Sequence, residues 1–509
     1  MIFKTLKYHI TKKDVIIAYL SAIKKLAGQT AVYGLSTIAG RFFYFLLVPI
    51  YTRVFTQVEY GINAEFYAYM SFFNILLTHG METAFFRFAE KENSKQVYAN
   101  ALVSVLGVSG IFALLFLGFG QQIATGIGYG NNAKYIYYCV GILFFDSVCA
   151  IPFALLRQQS RPIRFAILKN INIFTNVFLN LYFLLLAPYW LKTFGVILPL
   201  FEPGLGIESI FMANLFASIL TTFLLSKELM GITFGFQYEQ WKTMMNYAIP
   251  MIWVGMAGMI NETLSRAILR YIWPNPEEAK AMNGVFAANY KLSIIITLFI
   301  QAYKFAAEPF FFNHAKTTEK RDLYGSIMNY FIWICLFVFL MVMLFLHYFK
   351  FFIGERFFEG LAVVPILLFA NIFLGIYYNL SIWYKLSDQT NKGALISLIG
   401  AVLTIGLNLA FIPKFGYVGC AWATFICYFT MMVIGYLMGQ KYYPIPYNLG
   451  RAFLYLIVTL GFYGIAIFSE KWFEAGSVFG NLTRGLMLLS FIALGYVLER
   501  KNSILSTVK

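Results

Sequence analysis

Between Gln29 and Gly61 the chain runs through mostly apolar residues, far enough to cross a bilayer, and carries Arg41 in the middle of that run, directly after Gly40. A guanidinium near the bilayer centre costs roughly 2.5–3.5 kcal/mol on insertion scales. A passive anchor has nothing to offset that cost. The stretch therefore predicts a helix inside a bundle, its arginine facing a wet cavity or an anionic partner.

The rest of the chain asks for the same solvent. Of its 509 residues 60% are hydrophobic and 12% charged, and the mean hydropathy is +0.70. So few charges cannot cover so much apolar surface in water, which makes this an all-α polytopic membrane protein. The net charge of +16 suits loops on the cytoplasmic side of a membrane and does not suggest nucleic acid. Cys139, Cys149, Cys335, Cys420 and Cys427 fall in or at the ends of apolar segments without paired spacing, so neither a disulfide framework nor a metal site is expected. No cofactor is expected either.

Apolar runs separated by polar or Gly/Pro punctuation predict fourteen spans, near 28–50, 61–79, 98–120, 133–155, 166–187, 206–226, 243–265, 282–303, 325–347, 359–380, 393–412, 417–438, 451–469 and 482–498. The second, seventh and eighth are the most polar and are expected to be longer or bent, with Pro250 as a source of a kink. With the basic tail (residues 1–26) inside, 26 Lys and Arg fall on the cytoplasmic side and 11 on the other; Arg41 and Lys291 remain within spans. That asymmetry predicts cytoplasmic termini. The tail reads as cytoplasmic, with an interfacial amphipathic helix as an alternative form, and not as a cleaved signal.

A weak internal repeat is visible. At an offset of 228, Arg157, Arg164, Ala166 and Asn180 fall on Lys385, Lys392, Ala394 and Asn408; at 223, Gly61, Ala64 and Tyr67 fall on Gly284, Ala287 and Tyr290. The matches predict a six-span unit used twice, 27–228 and 229–440, with spans 13 and 14 appended in 441–509. An even repeat relates its copies by an axis along the membrane normal, with the substrate site between halves near the midplane.

The run L-A-G-Q-T-A-V-Y-G-L-S-T-I-A-G-R-F-F-Y-F-L-L-V-P-I-Y-T-R-V-F, followed by E-Y-G and by G-M-E-T-A-F-F-R-F-A, resembles the Wzx-type oligosaccharide flippases of polysaccharide biosynthesis. These belong to the superfamily that holds the MATE exporters and the lipid II flippase MurJ. The run N-L-A-F-I-P-K-F-G-Y-V-G-C-A-W-A-T looks like that family's turn between spans 11 and 12. The resemblance covers essentially all fourteen spans. It implies two six-helix lobes in a V, alternating access, and a cavity lined by spans 1, 2, 7 and 8. It implies a cargo of polyprenyl-pyrophosphate-linked repeat units for O-antigen, capsule or exopolysaccharide, moved across the bacterial inner membrane. Lipid II is an open alternative cargo. Polysaccharide polymerases or ligases are implied neighbours in the membrane.

Such a cargo needs fixed cations for its pyrophosphate, because Coulomb attraction is strong in a low-dielectric cavity. Arg41 and Lys291 would stand on opposite lobes as a clamp, with Glu65, Tyr67 and Asn74 of span 2 completing a polar and aromatic wall. The plainer alternative pairs the cations with Glu65 or Glu262, or has them snorkel to an interface. Glu262, Arg266 and Arg270 lie at i, i+4 and i+8 on one helix face and, with Arg53, are candidates for the outer gate; a solvated ion-pair ladder is the alternative. Asp146 and Glu82 are candidates for proton or sodium coupling, against the alternative of acids satisfied by local donors.

An enzyme is not expected. The four histidines share no ligand spacing, no Walker A run occurs, and the external loops are short for a glycosyl-transfer site. Two other functions compete: a MATE-like ion-coupled exporter of small molecules, and a membrane glycosyltransferase or ligase. A cationic cavity argues against the export of organic cations.

Overall fold

The computed structural model describes residues 34, 36, 38–230, 235–314, 321–387, 389–470 and 476–500. The tail of residues 1–26 and its expected interfacial helix lie outside them, as do residues 501–509. The described chain is helical, with no strand among the described residues. Among the described residues ten helices are long and apolar enough to cross a membrane by length and composition.

The first helix, α1, spans residues 38–46 and, after a turn at Leu47, Val48–Val54. Thr56 then starts α2 (Gln57–Thr78) through a capping box with Glu59. His79 and Gly80, both left-handed, end it and lead into the short α3 (Met81–Ala89). The first half continues through α4 (Ser94–Gly118), α5 (Lys134–Gln158), α6 (Pro162–Leu181) and α7 (Glu208–Leu224). Beyond α6 a π turn, Tyr182–Leu186, completes the expected fifth span, and a further helical segment, Ala187–Phe194, takes up the first part of the expected external loop.

The second half opens with two long helices, α8 (Tyr238–Ile272) and α9 (Pro276–His314), as the polar character of spans 7 and 8 foreshadows. Helix α8 runs through Pro250 without a break in its helical assignment. Then come α10 (Arg321–Leu344), α11 (Val364–Leu380) and α12 (Thr390–Tyr442). The 53-residue α12 is two helices meeting at Gly416, whose φ of 53° and ψ of −132° leave the helical region. Its arms fold back on each other, placing the Cys427 sulfur 3.4 Å from the Gly400 carbonyl. Helices α13 (Leu449–Ser469) and α14 (Val478–Arg500) follow. They dock on α10, where Trp333 donates to the Phe491 carbonyl and Tyr330 to that of Glu499.

Repeat-related positions meet in space. Helices α2 and α9 cross where a Cβ on Gly61 would overlap the Lys280 carbonyl oxygen, and one on Gly284 would overlap that of Gln57. The two contacts are reciprocal, as a twofold relation between copies would make them. Asn180 and Asn408, matched at the other offset, are both fully buried, and each donates to the carbonyl four residues earlier.

Candidate functional site

The packing of α1 against the second half leaves a cavity of about 490 Å³. Arg41, Tyr44 and Phe45 enter it from α1 at i, i+3 and i+4; Glu262 enters from α8, and Leu374 and Tyr378 from α11. Helix α9 supplies Tyr290, Lys291, Ile294, Thr297, Leu298, Ile300, Gln301 and Lys304, mostly at three- and four-residue spacing, the face of a helix. Three cations and one carboxylate thus face a shared space between the halves.

Arg41 is exposed to that space and Lys291 is half-buried beside it. Neither forms an ion pair among the described residues. The charges that act on Lys291 are Arg266 and Glu262, while Arg41 and Glu262 both act on Tyr290 and Tyr378. Lys304 sits over the Tyr378 ring, 4.2 Å from its centroid. The cavity can therefore attract a multiply charged anion, and its tyrosines and Gln301 can hydrogen-bond or stack on polar rings.

The other candidates from span 2 do not line this cavity. Glu65 is 1% exposed. It accepts from the hydroxyls of Tyr69 at 2.5 Å and Tyr129 at 2.7 Å and pairs with Arg270 at 3.5 Å. Its partner comes from α8, so this ion pair joins the halves and leaves Arg41 without that carboxylate. The Tyr67 hydroxyl accepts from Asn214 at 3.0 Å inside the first half. Asn74 is exposed elsewhere on α2.

The expected gate residues act separately, not as a solvated ladder. Glu262 faces the cavity. Arg266 lies over the Tyr290 ring at 4.7 Å. Arg270 lies over Tyr129 at 4.3 Å, donates to the Gly128 carbonyl at 3.3 Å and pairs with Glu65. Arg53 donates to the Phe351 carbonyl at 2.6 Å, across the halves. Around it, the Gly354 amide donates to Thr52 Oγ1 at 2.9 Å, Gln57 to Glu359 at 2.9 Å, and Asn283 to the Gly61 carbonyl at 3.1 Å. These contacts join the two halves at the end of the molecule expected to lie outside. At the opposite end the first part of α8 joins the first half, with Trp241 donating to Ser104 Oγ at 2.9 Å and Arg87 over Tyr247.

Of the two coupling candidates, Glu82 pairs with Arg157. Asp146 has no ion pair among the described residues and accepts from Ser218 Oγ at 2.6 Å. Lys169 is the cation whose field reaches it. No group of three or more potential metal ligands occurs among the described residues.

Lys304 was hidden from sequence reading by a boundary. Span 8 was expected to end near 303, which put this lysine in a loop, whereas α9 continues to His314. The signal was present: Lys291, Ile294, Thr297, Gln301 and Lys304 step by three or four.

Residues 26–315 match the family model described as polysaccharide biosynthesis protein. No curated protein matches the sequence significantly. Among solved structures, the lipid II flippase MurJ in an inward closed conformation superposes with a TM-score of 0.67 at 14% identity, covering 91% of this chain and 98% of that one. An inward-facing multidrug resistance MATE family transporter gives 0.58 at 14% identity, covering 82% and 97%. A MOP superfamily transporter from Pyrococcus furiosus, described as having a binding pocket of reverse polarity, gives 0.56 at 15% identity, covering 82% and 95%. The fold is that of the MurJ- and MATE-like transporters.

Proposed function

The chain belongs to the polysaccharide biosynthesis protein family, and from that premise we propose that it is a flippase for polyprenyl-pyrophosphate-linked oligosaccharide repeat units. It moves them across the bacterial inner membrane by alternating access and makes or breaks no covalent bond. The observation that carries this reading is the cavity between α1 and the second half, in which Arg41 and Lys291 form no ion pair among the described residues. Three cations facing one carboxylate, Glu262, leave a net positive charge at membrane depth, which is costly unless a ligand supplies the rest of the negative charge. A pyrophosphate does so. Tyr44, Tyr290, Tyr378 and Gln301 then meet the sugar, while the prenyl tail stays in lipid.

The reading takes fourteen crossings: the ten long apolar helices with α12 counted twice, plus α1, α2 and α7. It puts both termini and the Lys304 end of the cavity in the cytoplasm, with the Arg53 and Glu65 contacts as the closed outer gate. The halves correspond to residues 27–228 and 229–440. Asp146 is the candidate for proton or sodium coupling, since Glu82 is already engaged by Arg157. Polymerases or ligases would take the delivered units.

The test is flipping of a fluorescent lipid-linked oligosaccharide in proteoliposomes. Arg41→Ala should lower it about a hundredfold and Arg41→Lys should retain part. Full flipping by Arg41→Ala overturns the clamp. A MATE-like exporter is the second reading, favoured by the Glu262 carboxylate in the same cavity. Uptake of a small organic cation into the same vesicles, lost in Glu262→Gln, would decide for it.

A further inference from the structure

A second charged cavity, of about 300 Å³, lies wholly in the first half and shares no lining residue with the one that holds Arg41. Lys95, Arg161, Arg164 and Lys227 line it, together with Glu228. Glu228 is spoken for: it is 8% exposed and takes a hydrogen bond from Arg164 at 2.8 Å. The Tyr98 hydroxyl donates to its backbone carbonyl at 2.9 Å and fixes that segment against α4. Lys95, Arg161 and Lys227 have no ion pair among the described residues. The cavity therefore carries an excess of three positive charges. The N-termini of α4 and α6 open beside it and the C-terminus of α5 ends there, so its sign is set by the side-chain cations and not by helix dipoles.

From this arrangement we infer that the cavity is a binding site for the phosphate of an anionic phospholipid. A concave site with three uncompensated cations recognises a phosphate monoester or diester; its position selects the lipid. All four cations lie at or just beyond the ends of apolar membrane-spanning helices, where headgroups lie. Large apolar side chains flank them in sequence and face outward: Ile163 is 69% exposed and Met230 83%. Acyl chains cover such a surface, whereas a free phosphate has no use for it. Bound there, a lipid ties together α4, α6 and the segment after α7, and so stiffens the first half.

The experiment titrates the purified full chain in neutral detergent with phosphatidylglycerol, phosphatidylcholine and inorganic phosphate, reading lipid adducts by native mass spectrometry and the shift in melting temperature. Phosphatidylglycerol should bind and stabilise, and phosphatidylcholine should do so much less. The double variant Arg161→Gln/Lys227→Gln should bind phosphatidylglycerol about thirtyfold more weakly, from about 1 kcal/mol per lost cation. Lys192→Gln/Lys414→Gln, which removes two exposed cations elsewhere, should bind as the parent does. The increment on adding lipid is compared within each variant, so a lower starting melting temperature does not obscure the result. Equal binding of both lipids, or unchanged binding by the Arg161/Lys227 variant, overturns the inference. Binding of inorganic phosphate with no preference among lipids overturns the lipid assignment.

Discussion

Two charged clusters lie along the interface between the halves, and they are completed in different ways. At one, Glu65 and Arg270 are buried together, 1% and 10% exposed at their side chains, and the carboxylate also accepts two tyrosine hydroxyls. At the other, Arg41 and Lys291 face a cavity whose one carboxylate, Glu262, pairs with neither of them among the described residues. An interior tolerates charge when protein atoms neutralise it, and the Glu65 cluster meets that condition. The Arg41 cluster sets three cations against the single Glu262 carboxylate, which leaves room for an anion from outside the chain to complete it. The first cluster holds one end of the halves together; the second is the one the proposed flipping reaction would use.

The largest effect should come from breaking the completed cluster. Glu65→Ala leaves Arg270 among aromatic rings without its carboxylate, a loss of about 3–5 kcal/mol in stability. Unfolding of the purified chain by heat or by detergent titration reads it. Glu65→Ala/Arg270→Ala should lose less than the two single changes added, because the charges couple. Simple additivity would remove the lock from the account. Arg41→Ala should do the reverse: flipping falls about a hundredfold, equivalent to about 2.7 kcal/mol, while stability stays within about 0.5 kcal/mol of the parent. A large loss of stability at position 41 would erase the distinction between the clusters.

The difference in how these clusters are built explains what sequence could reveal. The apolar runs carry the helices, because a bilayer demands about 20 apolar residues per crossing whatever the packing. The turn at I-P-K-F-G-Y is legible because Gly416 is free to take its positive φ. Arg41 is legible for the same kind of reason: its cost is set by the membrane, not by a neighbour. Glu65 is different. Its role depends on Arg270, 205 residues away, and on Tyr129 in an intervening turn, and no local pattern announces that meeting. The i, i+4, i+8 row of Glu262, Arg266 and Arg270 correctly shares a helix, yet each member meets a different neighbour. Local spacing places residues on a face; only the packing of the halves says what that face touches.

The glycine crossing sharpens the comparison at a smaller scale. Gly61→Ala and Gly284→Ala should each cost about 1–3 kcal/mol, since the new methyl meets backbone that cannot swing aside. The losses should be similar, as the contacts are reciprocal. Gly107→Ala, with nothing within 4 Å of its Cβ position, should cost nothing measurable. The smallest effect belongs to Arg53. It is exposed, and its bond to the Phe351 carbonyl lies at the rim of the closed end. Arg53→Gln should change stability by only about 0.2–1 kcal/mol, because the Glu65 pair and the Gly61 crossing still hold the halves. A thermal shift as large as that of Glu65→Ala would move the lock from the buried pair to the rim, and the contrast between a neutralised and an open cluster would then lose its structural basis.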